Sequence, residues 1–144
     1  MLTAVSCSSV DVAATRALKP DVSALQYELF VQYSELALHE MAEGNPDSAA
    51  QFNDKARQAA QGMAVKPDQP TDKIMQENYA RLMELVSAKA NSAPAAVVAR
   101  AQVMYDCWLE ERTQNVDKSQ IVACQQAFEM AMHVYDTARS IKGH

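Results

Sequence analysis

Two cysteines in the C-terminal half of the chain, Cys107 and Cys124, are the residues best suited to form a covalent link. The turn between the two helices predicted to carry them is centred near residues 115–116, so each cysteine lies about eight residues from it. Antiparallel helices rise equally from a turn, by about 1.5 Å per residue, which places the two thiols at the same height. The spacing predicts a disulfide, with two buried free thiols as the alternative.

The third cysteine, Cys7, follows a short run of apolar and small residues, Met1–Ser6. This pattern is typical of the end of a bacterial lipoprotein signal, in which the cysteine becomes lipidated, although a complete signal also needs a basic and a longer apolar segment. We predict that Cys7 carries a lipid. The alternative is an N-terminal segment without a targeting role. A lipidated Cys7 implies export from the cytosol, and a disulfide requires an oxidising compartment, so the two predictions support each other.

Two glutamate–histidine pairs have the residue types of a metal-binding helical bundle: Glu35 with His39, and Glu129 with His133. Carboxylate-bridged metal bundles use a spacing of i, i+3, with further glutamates facing the same cavity, whereas both pairs here have a spacing of i, i+4. We therefore expect exposed pairs that stabilise their helices by a few tenths of a kcal/mol. No phosphate-binding loop, Cys-x-x-Cys motif or nucleophile elbow is present. We expect no enzyme activity, catalytic residue, metal or cofactor; a metal-binding bundle enzyme is a weaker alternative.

The composition favours a single all-α domain. The chain has 144 residues, of which 49% are hydrophobic, with only 3 Gly and 5 Pro to make turns. The net charge of −5 argues against nucleic-acid binding, which needs a basic surface. No run of 18 apolar residues is present, so we expect no membrane-spanning helix. We assign residues 1–20 to a signal remnant and lipid tether, with weak helicity over 12–18, and residues 21–144 to a helical bundle.

Periodicity and capping residues predict about five helices in antiparallel hairpins. The first is capped by Asp21 and stopped by Gly44; the third is capped by Thr71 or Asp72 and has Ile74 on its inner side. The predicted helices are Val22–Glu43, Asn45–Gly62, Asp72–Lys89, Pro94–Thr113 and Lys118–Ile141, the last capped by Asp117.

The first predicted helix is apolar over most of its circumference, which predicts that it is the central element of the bundle. Its two apolar stripes consist of Val22, Leu25, Leu29, Tyr33 and Leu36, and of Tyr27, Phe30, Val31, Leu38 and Met41. Residues 33–59 also resemble one tetratricopeptide repeat, which we interpret as a single such hairpin within the bundle.

Two longer stretches resemble a known family. They are the turn at 43–47 with its alanine-rich helix, and residues 99–110, which contain Asp106-Cys107-Trp108, followed by Cys124 and Phe128. Together they resemble the helical N-terminal region of alphaproteobacterial-type OmpA-family outer-membrane lipoproteins. That resemblance implies a lipidated Cys7, a Cys107–Cys124 bridge and an envelope location. None of the 144 residues corresponds to the family's C-terminal peptidoglycan-binding domain, so the resemblance does not imply peptidoglycan binding.

These observations predict a non-catalytic lipoprotein on the periplasmic side of an outer membrane, acting as a structural or scaffolding component. Its expected partners are proteins of the cell envelope and, through the lipid, the membrane, with no nucleic acid or small-molecule substrate. The groove near Glu28, Gln32 and Glu35 is the predicted partner surface. The alternative function is a cytosolic helical adaptor or secretion chaperone with reduced cysteines.

Overall fold

A computed structural model describes residues 10–88 and 93–142, without the side chain of residue 142. This part of the chain forms α-helices and no strands, which confirms the all-α prediction. Six helices are described, one more than predicted: α1 (Val12–Arg16), α2 (Ala24–Ala42), α3 (Pro46–Ala60), α4 (Lys73–Ser87), α5 (Ala95–Gln114) and α6 (Lys118–Lys142). In these ranges no helix is both long enough and apolar enough to cross a membrane.

The ends of the helices follow side-chain caps. Ser23, rather than the predicted Asp21, caps α2, because its hydroxyl accepts from the Gln26 amide while the Gln26 side chain returns to the Ser23 amide. This reciprocal pair satisfies backbone donors that Asp21, two residues earlier, does not reach. The caps predicted at Asp72 and Asp117 are present, with carboxylates accepting from Met75 and Ser119 amides, both at 2.9 Å.

Two helical hairpins are joined through α5. Helices α2 and α3 are antiparallel, since Gln26 at the start of α2 donates to the carbonyl of Gly62 just after α3. Helices α5 and α6 form the second hairpin, and α5 also packs against α2 and α4. Helix α2, predicted to be central, contacts α1, α3 and α5, and α5 occupies an equally central position because it is buried around its circumference.

One side of α2 is more exposed than the sequence pattern predicts. Tyr27, Leu38 and Met41 were predicted to be buried, yet they are 47%, 44% and 39% exposed. Hydrophobic periodicity identified two stripes, and the second is buried only in part, at Phe30, which is 5% exposed. Ile74, predicted to face inward from α4, is likewise 50% exposed.

Helix α1 belongs to the packed structure. Asp11 caps it by accepting from the Ala14 amide at 2.8 Å, and Val12 and Thr15 are buried where the helix meets α2 and α3. Tertiary contacts stabilise this five-residue helix, which has little stability alone, so packed structure is present before residue 21. Cys7 and His144 lie outside the described residues.

Candidate functional site

Cys107 and Cys124 form the predicted disulfide between α5 and α6. Their Cα atoms lie 5.7 Å apart, within the usual range for a disulfide, and both side chains are buried. Trp108, which follows Cys107, and Phe128, one turn after Cys124, pack with ring centroids 5.7 Å apart. The C-terminal hairpin is thus held together both covalently and by aromatic packing.

Asp106, the residue before Cys107, is the centre of a buried polar cluster. Its Oδ2 atom accepts a hydrogen bond from the Tyr33 hydroxyl and another from the Lys55 ammonium, each 2.6 Å long. Its Oδ1 atom accepts from the backbone amide of Asp68 at 2.9 Å. One carboxylate therefore links α2, α3, α5 and the loop between α3 and α4.

The rest of the cluster fixes that loop. Gln102 donates to the carbonyl of Val65 at 2.9 Å and to the Tyr33 hydroxyl at 3.2 Å. Besides Asp106, the Lys55 ammonium contacts the carbonyl of Lys66 at 2.9 Å and a carboxylate oxygen of Asp68 at 2.8 Å. An ammonium has three donors, and all three are used within the protein.

The electrostatics of the cluster favour a structural role. Burial raises the pKa of Asp106 to about 6, although the neighbouring Lys55 ammonium opposes that shift. Burial lowers the pKa of Lys55, but the carboxylates of Asp106 and Asp68 outweigh it, so that its pKa is raised overall. Burial and the Asp106 charge raise the pKa of Tyr33 as well. Near pH 7 the cluster therefore contains a carboxylate, an ammonium and a neutral phenol, all engaged with one another.

A second buried polar group lies near the α2–α3 turn. Glu40 on α2 and Glu111 on α5 are both buried, and Asn45 donates to Glu40 at 2.9 Å. Burial, followed by the adjacent Glu40, raises the pKa of Glu111 to about 7. Two carboxyl groups this close favour retention of one proton. Asn45 is the N-cap residue of α3, but its side chain donates to Glu40 and does not cap the helix.

The predicted glutamate–histidine pairs lie on helix surfaces. Glu35 and His39 are exposed on α2, whereas Glu129 binds Arg81 of α4 through two hydrogen bonds of 3.0 and 3.1 Å. His133 is exposed on α6. Among residues 10–88 and 93–142, no group of three or more His, Cys, Asp or Glu side chains is arranged to hold a metal ion.

The predicted partner surface forms one sector of α2. Glu28 is partly buried and Glu35 is exposed, while Gln32 donates to the carbonyl of Ala96 at 3.2 Å and so braces α2 against α5. The neighbouring sector holds the exposed Tyr27 and Leu38, which sequence periodicity assigned to the core. We call these two sectors together the outer face of α2.

A second exposed apolar region is a groove of about 510 Å³ between α5 and α6. Ala96 and Val97 line one wall, and Met130 and Val134 line the other. Met130 is 72% exposed, and Arg100 is the charged residue in the lining.

The sequence did not lead us to predict the buried polar cluster of Asp106 and its partners. The sequence did contain one signal: Asp106 is the charged residue of a mostly apolar segment, residues 101–109. In the structure nearly every position of this segment is buried. A carboxylate in such a segment requires an internal partner. Tyr33 and Lys55, however, are 73 and 51 residues away in sequence, so spacing does not reveal the pairing.

No protein-family model, curated protein or solved structure matches this chain. The role of the protein is therefore inferred from the fold and from the regions described above.

Proposed function

We propose that this chain is a non-catalytic helical lipoprotein of a bacterial cell envelope, anchored through Cys7 on the periplasmic side of the outer membrane. There it acts as a structural or scaffolding component that binds other envelope proteins. The observation that carries this proposal is the buried Cys107–Cys124 disulfide. Structural disulfides persist in the periplasm and other oxidising compartments, whereas cytosolic thiols are mostly reduced.

The position of Cys7 supports a close attachment. Three residues separate it in sequence from Asp11, the cap of α1, and the four Cα–Cα steps between them span at most about 14 Å. Helix α1 is itself packed against α2 and α3. A lipid on Cys7 would hold the helical domain against the membrane surface, where the domain meets other envelope components.

The polar cluster supports a non-catalytic role. The donors of Lys55 and the oxygens of Asp106 are directed at protein groups, and their effect is to join distant segments of the chain. Such a cluster stabilises one arrangement of helices, which is the property a scaffold needs.

Intact mass spectrometry of the protein from membranes of its native host tests the proposal. We expect a chain that begins at Cys7 with added acyl groups, and two extra hydrogens after reduction. A Cys7→Ser variant should remain soluble after cell fractionation while retaining the same helical circular dichroism. An unlipidated chain that begins at Met1 and contains three free thiols would contradict the proposal and favour a cytosolic adaptor.

A further inference from the structure

The outer face of α2 has an apolar row that no described element covers. Tyr27, Val31 and Leu38 lie within about 40° of one another around the helix. Tyr27 and Leu38 are nearly half exposed, and Val31 is partly buried. With the exposed Ala42, the row extends over four turns, or about 22 Å along the helix axis. Its length and spacing match the contact stripe of one further helix.

An acidic row runs beside this apolar row. Glu28 and Glu35 lie on α2 next to the apolar row, and Glu43 is the C-cap residue of this helix; Glu35 and Glu43 are exposed. The charge is not balanced locally, because residues 20–54 contain seven Asp or Glu and no Lys or Arg. All 13 basic residues of the chain share the remaining positions with the other 11 acidic residues. The negative charge of the protein is therefore concentrated in the segment that forms α2 and most of α3.

This charge pattern indicates which kind of partner can cover the apolar row. A second copy of α2 would bring another acidic row and no Lys or Arg to neutralise the first. An anionic membrane surface would be repelled for the same reason. A helix with an apolar stripe flanked by Lys or Arg complements both rows, since it covers Tyr27 and Leu38 while its cations face Glu28 and Glu35.

We propose that the outer face of α2 binds a basic amphipathic helix of a partner protein, with Tyr27, Val31 and Leu38 as the apolar contacts and Glu28 and Glu35 as the charged ones. This role rests on the scaffolding function proposed above and names the chemistry of the partner. It does not depend on Cys7 lipidation.

Fluorescence anisotropy with the oxidised full chain tests this binding. The probe is a fluorescein-labelled helical peptide of about 18 residues, with Leu at i, i+4 and i+7 spacing and Lys on both flanks. A matched peptide carries Glu in place of every Lys. We expect the Lys peptide to bind more tightly than the Glu peptide by at least about tenfold, and to weaken as the salt concentration rises, because these contacts are exposed.

Three variants separate the contributions. Leu38→Ser should lower the affinity for the Lys peptide by about tenfold and leave the salt dependence of binding unchanged. The double variant Glu28→Gln/Glu35→Gln should weaken it similarly and reduce the salt dependence. Met130→Ser, which removes the most exposed side chain of the α5–α6 groove, is the matched control and should leave affinity within about twofold. Circular dichroism of each variant confirms that the helices remain folded.

Equal binding of the Lys and Glu peptides would overturn the proposal, as would unchanged affinity in the two α2 variants. Loss of binding in Met130→Ser would move the site to the α5–α6 groove. The purified protein suffices for these measurements, so peptide binding without Cys7 lipidation would refute only the envelope location. Lipidation without peptide binding would refute only this docking site.

Discussion

Asp106 and Cys107 are consecutive residues of α5, and they attach this helix to different parts of the molecule by different chemistry. Cys107 is bonded covalently to Cys124 on the adjacent helix, 17 residues away in sequence. Asp106 holds α2, α3 and the loop after α3 through hydrogen bonds to residues that are 73, 51 and 38 positions distant. Helix α5 therefore has a covalent attachment on one side and a polar attachment on the other.

The two attachments stabilise different parts of the helix arrangement. The disulfide limits the separation of two helices that a three-residue connection already keeps close. The polar cluster joins the two hairpins, which the chain connects only through long intervening segments. We infer that the arrangement of the hairpins depends more on Asp106 than on the disulfide, and that pH acts on the first attachment while redox conditions act on the second.

The largest expected effect is that of Asp106→Ala. This variant removes the common acceptor of the Tyr33 hydroxyl, the Lys55 ammonium and the Asp68 amide, and leaves buried donors without partners. We expect the free energy of unfolding in urea to fall by about 3–5 kcal/mol. Asp136→Ala, at an exposed position on α6, is the control and should change stability by less than about 0.5 kcal/mol. A loss below about 1 kcal/mol in Asp106→Ala would show that the cluster is not the main junction.

Removal of the disulfide should have a smaller effect. The double variant Cys107→Ala/Cys124→Ala is expected to lose about 3 kcal/mol, because the unfolded chain regains the entropy of a 17-residue loop. Urea unfolding of the native chain with and without a reductant gives an independent value for the contribution of the disulfide to the free energy of unfolding. If reductant lowers the stability of the double variant as much as that of the native chain, the effect does not come from this bridge.

The pH dependence should come from the buried carboxyl groups. The pKa of Glu111 is raised to about 7 from an ordinary value of 4.5, so the folded state holds its proton more tightly than the unfolded state. The resulting stabilisation is complete below about pH 4.5 and is lost as the pH rises through 7. Asp106, whose pKa is about 6, also makes the folded state less stable as the pH rises, but over a lower pH range.

Glu111→Gln tests this directly. At pH 8 the substitution removes a buried charge beside Glu40, and we expect a gain of about 1 kcal/mol in the free energy of unfolding, together with a flatter profile between pH 5 and pH 8. The oxidised and reduced proteins should show the same slope below about pH 7, since the disulfide does not titrate and free thiols titrate only near pH 8.5. A native profile that rises from pH 5 to pH 8 would contradict the assigned direction.

The smallest effect is expected for Arg81→Ala. Arg81 binds Glu129 across α4 and α6 and lies over the Phe128 ring, but both members of the ion pair are more than two-fifths exposed. Exposed pairs of this kind contribute about 0–1 kcal/mol. Thermal unfolding at low and high salt checks this, and a loss comparable to that of the disulfide variant would show that α4 depends on this pair.

Local sequence features predicted much of the fold. The breaks at Gly44 and Pro94 and the caps at Asp72 and Asp117 placed the five longer helices within a few residues. Equal distances from the turn at residues 115–116 predicted the pairing of Cys107 with Cys124. These features succeed because caps, turns and helical rise act over a few residues or within one hairpin.

The errors concern contacts between distant segments. Tyr27 and Leu38 have the periodicity of core residues, but no neighbouring helix reaches them, and Val12 is buried only because α1 folds back onto α2 and α3. The Asp106 cluster was missed for the same reason, as its members come together only when two hairpins and a loop have packed. Glu28 and Glu35 were predicted as a partner surface, and the exposure of the apolar row beside them became apparent only in the structure.

Thiol trapping in intact cells of the native host is the most direct test of the central claim, an oxidised and lipidated helical module. Acid quenching followed by a mass-tagged maleimide counts the free thiols. We predict no tag on the untreated protein and two tags after reduction, because Cys107 and Cys124 are bonded and the proposed lipid on Cys7 would block its thiol. Three tags without reduction would contradict both the bridge in the cell and the envelope location.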